Sequence, residues 1–166
     1  MGRTIVNSAM RTLNMEPEIS VFKSRAGTFT LEAYFGKVRM AGFTGTLIAN
    51  LEAGNMWLAE AEKTAVKREN AQNGAMKIIL SSVNYRSAML MTITALTYIP
   101  SVNLDADMVK GRFGEPVEKI TLNDNSERWL YPDKGLLVAI NKNGKEVFEY
   151  VRPADFEKIA QPLARE

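Results

Sequence analysis

Residues 117–151, VEKITLNDNSERWLYPDKGLLVAINKNGKEVFEYV, decide the fold class because short apolar segments alternate there with turn signals. Pro132-Asp133-Lys134-Gly135 has the chemistry of a turn, since proline pre-sets φ and glycine accepts a positive φ. Asn143-Gly144 is a strong hairpin signal. The strands that these turns separate are predicted at 117–122, 127–131, 136–141 and 145–151. Together they predict an antiparallel meander.

Both faces of the predicted meander are apolar, so each face needs a cover. Side chains alternate between the two faces along each strand. One face, termed the aromatic face, carries Trp129, Tyr131, Phe148 and Tyr150. Helices and the N-terminal half would bury it if it is ordinary core. Alternatively, these four residues form the contact surface for a partner chain, because exposed amphipathic aromatics are typical of such surfaces. They are our predicted binding site.

The rest of the chain predicts helices at the ends of grouped strands. The predicted elements are a helix from Ile5 that Pro17 ends, a strand at 28–35, a long helix from Thr46 toward Asn70, strands at 76–83 and 88–99 joined by a hairpin at 84–87, a helix from Ser101 or Asn103 to Gly114, and a short C-terminal helix after Pro153. This grouping indicates an α+β fold, with the antiparallel meander at 117–151 and helices packed on it. We predict a single domain over 1–166, in two halves, 1–100 and 101–166.

The composition excludes several kinds of active site. The chain contains no Cys and no His, which removes thiolate nucleophiles, disulfides, zinc and haem ligation, and imidazole acid–base chemistry. The chemistry that remains for catalysis is that of a serine with a lysine, of a tyrosine or of a carboxylate. We predict no cofactor.

Two short motifs match chemical signatures without their companion residues. Ser20 and Lys23 fit the Ser-x-x-Lys pattern, in which lysine deprotonates a serine nucleophile, but the other elements of that signature are absent. Asn103, Asp105 and Asp107 have the spacing of a calcium loop that lacks its glycine and its bidentate glutamate. Capping of the following helix explains these acids better. We therefore predict no catalytic residue and no metal ligand.

One local basic cluster, Lys23, Arg25, Lys37 and Arg39, leaves open a basic-patch binding protein. Scattered surface charge explains the cluster more simply, because no basic helix or stacking motif accompanies it. The whole chain carries 21 basic and 19 acidic side chains, a net charge of +2. We expect no nucleic-acid partner.

The sequence predicts no transmembrane segment. The longest apolar-leaning run, 88–99, is too short to span a bilayer and contains three threonines. The first six residues carry neither the apolar region of a signal peptide nor a myristoylation pattern. Any lipid anchor would lie outside this chain, which has no lipid-bearing cysteine.

Residues 101–152 resemble small bacterial envelope lipoproteins of the SmpA/OmlA type. The resemblance lies in DADMVKGRFGEP at 105–116, in Trp129-Leu130-Tyr131 and in Gly135-Leu136-Leu137-Val138. In that family a helix ends in Gly-x-Pro and is followed by a strand with an aromatic pair and a Gly-Leu hairpin. The resemblance implies a non-enzymatic envelope domain that binds protein, and it brings no catalytic residues with it.

Three functional hypotheses follow. The leading one is a non-catalytic bacterial envelope domain, periplasmic or envelope-associated, that acts through a protein partner or self-association. The second is a small cytoplasmic enzyme that uses carboxylate or Tyr/Lys chemistry in a cleft. The third is the basic-patch binding protein. The first two differ in whether polar groups converge in a pocket with perturbed pKa values.

Overall fold

The computed structural model describes residues 4–40, 42–71, 74–141 and 144–161. Within these residues, a ten-stranded antiparallel sheet dominates and five short α-helices accompany it. The strands are β1 (Glu18–Lys23), β2 (Phe29–Met40), β3 (Phe43–Leu51), β4 (Lys67–Asn70), β5 (Met76–Ile79), β6 (Ile93–Pro100), β7 (Glu118–Thr121), β8 (Glu127–Tyr131), β9 (Leu136–Ile140) and β10 (Val147–Val151). The helices are α1 (Val6–Leu13), α2 (Asn55–Lys63), α3 (Ser82–Ala88), α4 (Ala106–Phe113) and α5 (Glu157–Ala160). The strand order is β4-β5-β1-β2-β3-β6-β10-β9-β8-β7, and the sheet is not closed.

The prediction of an α+β fold, with an antiparallel meander at 117–151 and helices packed on it, is wrong. The meander at 117–151 forms β7 to β10, but β1 to β6 extend the sheet through the N-terminal part of the chain. Strands make up 42% of the structure and helices 28%. The sheet is therefore the main element of the fold, and the helices are short additions to it. The difference arises where predicted helical segments are strands.

The segment 43–51 is the largest of these differences. A helix was expected from Thr46 because Leu47 and Leu51 stand four residues apart. In the structure, Leu47, Ala49 and Leu51 are buried while Ile48 is partly exposed, which is the period of two of strand β3. A spacing of four fits both periods, and the β-branched residues of this segment favour the strand. Helix α2 begins only after Gly54.

The predicted hairpin at 84–87 is also wrong, because these residues lie within helix α3. Ser81 caps this helix, and its Oγ accepts a hydrogen bond from the backbone nitrogen of Asn84 at 3.3 Å. A serine cap satisfies one of the free N–H groups of the first turn. Strand β6 consequently begins at Ile93 and not at residue 88.

Several C-terminal predictions are confirmed. Strands β7 to β10 lie close to their predicted bounds. Asp105 caps α4, with its Oδ1 accepting a hydrogen bond from the Met108 nitrogen at 2.7 Å. Gly114 and Gly135 have φ values of 85° and 59°, as expected for a helix end and a turn. Asn143 of the predicted hairpin lies outside the described residues.

The chain divides into two compact units. The first unit comprises Met1–Phe35 and Ile48–Thr94, and the second comprises Gly36–Leu47 and Ala95–Glu166. Strands β2 and β3 each contribute residues to both units. The interpretation of the chain as one domain with halves at 1–100 and 101–166 stays a prediction.

In the first unit, β4, β5, β1 and the first part of β2 are antiparallel neighbours. One side of these strands is core, and helix α2 packs against β1. The buried side chains there are Ile19, Val21, Leu31, Ala33 and Ile78. The alternate residues point to the opposite side, termed the open face. The open face comprises Glu18, Ser20, Phe22, Thr30, Glu32, Tyr34, Lys67, Glu69, Lys77 and Ile79.

In the second unit, both sides of the C-terminal strands are covered. Helix α4 covers the aromatic face, where the Phe113 ring lies 6.1 Å from that of Tyr131 and 5.4 Å from that of Phe148. The residues after β10 cover the other side, where Phe156 joins a buried cluster. That cluster comprises Leu130, Leu137, Val151 and Phe156. The need for a cover on each face, read from the alternation of apolar residues, is met within this unit.

Candidate functional site

A cleft on the open face of the first unit is the strongest candidate for a functional site. It encloses about 250 Å³, slightly below the roughly 300–1,000 Å³ that is common for small-molecule sites. Its lining combines four polar or charged groups with three aromatic or aliphatic side chains. The lining residues are Glu18, Ser20, Phe22, Glu32, Tyr34, Ile48 and Lys77.

The strand register places the key side chains beside one another. Ser20 on β1 lies directly opposite Glu32 on β2, which puts their Cβ atoms roughly 4.5–5.5 Å apart. Phe22 lies one step along the same face toward Lys77, its partner on β5. Tyr34 lies one step in the other direction, opposite Glu18. The cleft is therefore a polar centre with an aromatic residue on each side along the strands.

Ser20 is the unusual residue of this cleft. Its side chain is 3% exposed, yet its Oγ has no hydrogen-bond partner among the described residues. Leaving a buried hydroxyl unpaired costs roughly 1–3 kcal/mol, so native structures rarely retain one without a reason. A ligand that supplies the missing partner would recover that cost.

Glu32 is the second group whose environment is unfavourable without a ligand. Burial raises the pKa of its carboxyl, and a hydrogen bond from the Thr30 hydroxyl at 3.3 Å offsets this effect only in part. Within the described ranges, no lysine or arginine forms an ion pair with Glu32. The ionised form is thus less stable in the folded chain than in water, and an incoming cation would stabilise it.

The remaining charges of the cleft pair with each other. Lys77 Nζ donates a hydrogen bond to the Glu18 carboxylate across the two strands. Lys77 is opposite Phe22, on one side of Ser20 along the strands, and Glu18 is on the other side. Both charged residues line the cleft together with Ser20.

The Ser-x-x-Lys pattern does not form a dyad in the structure. Ser20 and Lys23 are three residues apart on β1, so they point to opposite sides of the strand. Lys23 instead forms an ion pair with Glu62 of α2 at 2.7 Å and lies 5.0 Å from the centre of the Phe29 ring. Lys23 therefore cannot deprotonate Ser20, and the motif assigns no catalytic role to this serine.

The four predicted binding residues lie on the aromatic face of the second unit, and the structure brings them together under α4. Trp129, Tyr131 and Phe148 are 2%, 3% and 0% exposed. Tyr150 is partly exposed, and burial raises its pKa to about 12, so its hydroxyl stays protonated. A partner that binds this face would have to displace α4.

The basic cluster is divided between the two units, since Lys23 and Arg25 belong to the first and Lys37 and Arg39 to the second. The positive charge of Lys23 is compensated by its ion pair with Glu62.

In the part of the chain that the structure describes, no helix is long and apolar enough to cross a membrane.

Removal of divalent metal ions is expected to leave the melting temperature unchanged. The described residues contain no group of three or more His, Cys, Asp or Glu side chains that could hold a metal ion, and the chain has no nitrogen or sulfur ligand from His or Cys. The measurement is thermal unfolding with and without EDTA. A fall of several degrees would reveal a metal site, because such binding stabilises the folded state.

The comparisons with known proteins decide no family. The chain has no significant match among protein-family models, curated proteins or solved structures. The cleft itself is therefore the basis for proposing a function.

Sequence reasoning missed the cleft because its residues come from distant segments. Ser20 and Glu32 are joined by one hairpin, but Lys77 enters from β5, far along the chain. The alternation of Thr30, Glu32 and Tyr34 on the polar side of the predicted strand was the available signal. It did not show which other strands lie beside it.

Proposed function

We propose that this chain is a non-catalytic domain that binds a protein partner through the open face of its first unit. The observation that carries the proposal is the buried Ser20 hydroxyl, which has no hydrogen-bond partner among the described residues, beside the carboxyl of Glu32, which forms no ion pair with any of them. The environment of each group lowers the stability of the folded chain when no ligand is bound. A ligand that bonds to both groups would remove this cost. Phe22 and Tyr34 add the aromatic surface that is enriched at protein interfaces.

Binding is favoured over catalysis by the hydrogen bonding of the cleft. A serine nucleophile needs a base within hydrogen-bond reach, and that base needs a third group to orient it. Ser20 Oγ has no such base among the described residues, and the lysine of the cleft lining, Lys77, is held by Glu18. The raised pKa of Glu32 is compatible with a carboxyl group that binds a cationic ligand, and a general acid would show the same direction of shift.

The proposed location is the bacterial envelope, and the sequence resemblance at 101–152 supports it. In the structure this segment contains α4, then β7, β8 with its aromatic pair, β9 after Gly135, and β10. Fractionation of cells that express the natural gene would test the location, and recovery in the cytoplasmic fraction would contradict it.

A photo-reactive amino acid at Tyr34 is expected to form a discrete adduct with the partner in those cells. Tyr34 is 47% exposed at the edge of the cleft, so a probe there reaches a molecule on the open face. Mass spectrometry identifies the adduct and distinguishes another protein from a second copy of this chain. The control is the same probe at Val83, which is 65% exposed on α3 of the same unit. The proposal fails if Tyr34 gives no adduct, or the same adducts as Val83.

A further inference from the structure

The charges that line the cleft do not balance. Its lining includes two carboxylates, Glu18 and Glu32, and one ammonium group, that of Lys77. Lys77 forms its ion pair with Glu18, so one negative charge, that of Glu32, is left over. A ligand that complements the cleft should therefore carry a positive charge.

The acceptors of the cleft require a cation with several donors. Glu32 has two carboxylate oxygens, of which Oε1 accepts a hydrogen bond of 3.3 Å from Thr30. The unpartnered Ser20 Oγ lies directly across from it. A guanidinium group has five N–H donors in one plane, so it can bond a carboxylate and a neighbouring hydroxyl together. An ammonium group is a compact point charge and matches this arrangement less well.

The aromatic residues of the cleft favour the same group. Phe22 and Tyr34 stand on either side of the Ser20–Glu32 pair along the strands. A planar guanidinium stacks on aromatic rings, and it loses less hydration than an ammonium group when it does so. The cleft volume of about 250 Å³ admits one long side chain and no folded element.

We infer that the cleft binds the guanidinium group of an arginine side chain that the partner protein supplies. This inference rests on the proposed function, since it names the group by which the partner is recognised. The guanidinium bonds Glu32 and Ser20 and packs against a flanking aromatic ring. The Lys77–Glu18 ion pair lines the same cleft and opens to admit it. Glu18 and Lys77 have side chains that are 56% and 27% exposed, and an ion pair with such access to water is easily opened.

Three capped tripeptides, acetyl-Gly-X-Gly-amide, test the inference when titrated into the isotope-labelled full chain at constant ionic strength. The residue X is arginine, lysine or citrulline, which has nearly the shape of arginine without its charge. We expect arginine to give saturable shifts in the amide resonances of β1, β2 and β5. Citrulline should bind at least about tenfold more weakly, because its neutral urea group can donate hydrogen bonds to Glu32 but forms no ion pair with it. Lysine should fall between them.

Glu32→Gln is expected to reduce arginine binding by about tenfold or more and to remove its advantage over citrulline. Burial raises the pKa of Glu32, so a neutral glutamine should keep the chain folded, which an unchanged amide spectrum away from the cleft would verify. Ser20→Ala should also weaken arginine binding. The matched control is Glu60→Gln on α2, whose carboxylate pairs with Lys63 outside the cleft lining. It should leave the affinity unchanged.

The inference is overturned by equal binding of arginine and citrulline, by unchanged arginine binding in Glu32→Gln, or by the lack of saturable shifts. An adduct at Tyr34 combined with any of these results would retain the protein-binding function and reject the guanidinium. Selective arginine binding without an adduct at Tyr34 would reject the protein partner and point to a free guanidinium compound.

Discussion

Replacement of Trp129 by alanine is expected to lower the free energy of unfolding by about 3–5 kcal/mol, the range for a truncated core aromatic residue. Trp129 is 2% exposed and lies opposite Val138 of β9. Its indole nitrogen donates a hydrogen bond to Glu127 Oε2 at 2.7 Å, and the Lys119 ammonium lies 4.3 Å from the ring centre. Truncation removes these contacts and leaves a cavity that the surrounding strands cannot fill.

Urea denaturation measures the loss, and light scattering on the same samples reports the oligomeric state. The control is Tyr34→Ala, which truncates an aromatic side chain that is 47% exposed and should change the stability by less than about 1 kcal/mol. If Trp129→Ala keeps its stability but loses self-association or partner capture, the aromatic face is a contact surface. The binding surface would then lie in the second unit.

The C-terminal strands could be predicted because their signals are local. Pro132 to Gly135 specifies its own turn, and the aromatic and aliphatic residues on either side alternate with a period of two. The Asp105 cap and the positive φ of Gly114 depend on neighbours within a few residues. Such features depend only on residues that are close in the sequence.

The N-terminal errors have a different cause. Leu47 and Leu51 satisfy the spacing of a helix and of a strand, and pairing within the sheet decides between them. Ser81, which lay inside the predicted strand at 76–83, is a helix cap. Local pattern alone could not resolve either choice, because neighbouring strands and helices stabilise one outcome.

The candidate cleft could be predicted even less well. Its unpaired groups become visible only when β1 lies between β2 and β5, because burial and missing partners are properties of the assembled sheet. Ser20 attracted notice in the sequence through Lys23, which the strand places on the other side. The predicted site of four aromatic residues followed from a correct observation, their shared face. The sequence did not reveal that α4 covers this face.

Gly135→Ala is expected to lower the free energy of unfolding by about 2–5 kcal/mol, through backbone strain and overpacking together. Gly135 has a φ of 59°, and a Cβ atom there would lie 2.1 Å from the carbonyl oxygen of Val151. Since the Val151 nitrogen donates a hydrogen bond to the Gly135 oxygen, relief of the clash would disturb the end of β10. The control is Gly27→Ala, where φ is also positive but no atom lies within 4 Å of the added Cβ. It measures backbone strain alone, roughly 1–3 kcal/mol. In urea titrations of the two variants, a loss at Gly135 no larger than at Gly27 would show that the end of β10 moves aside without cost.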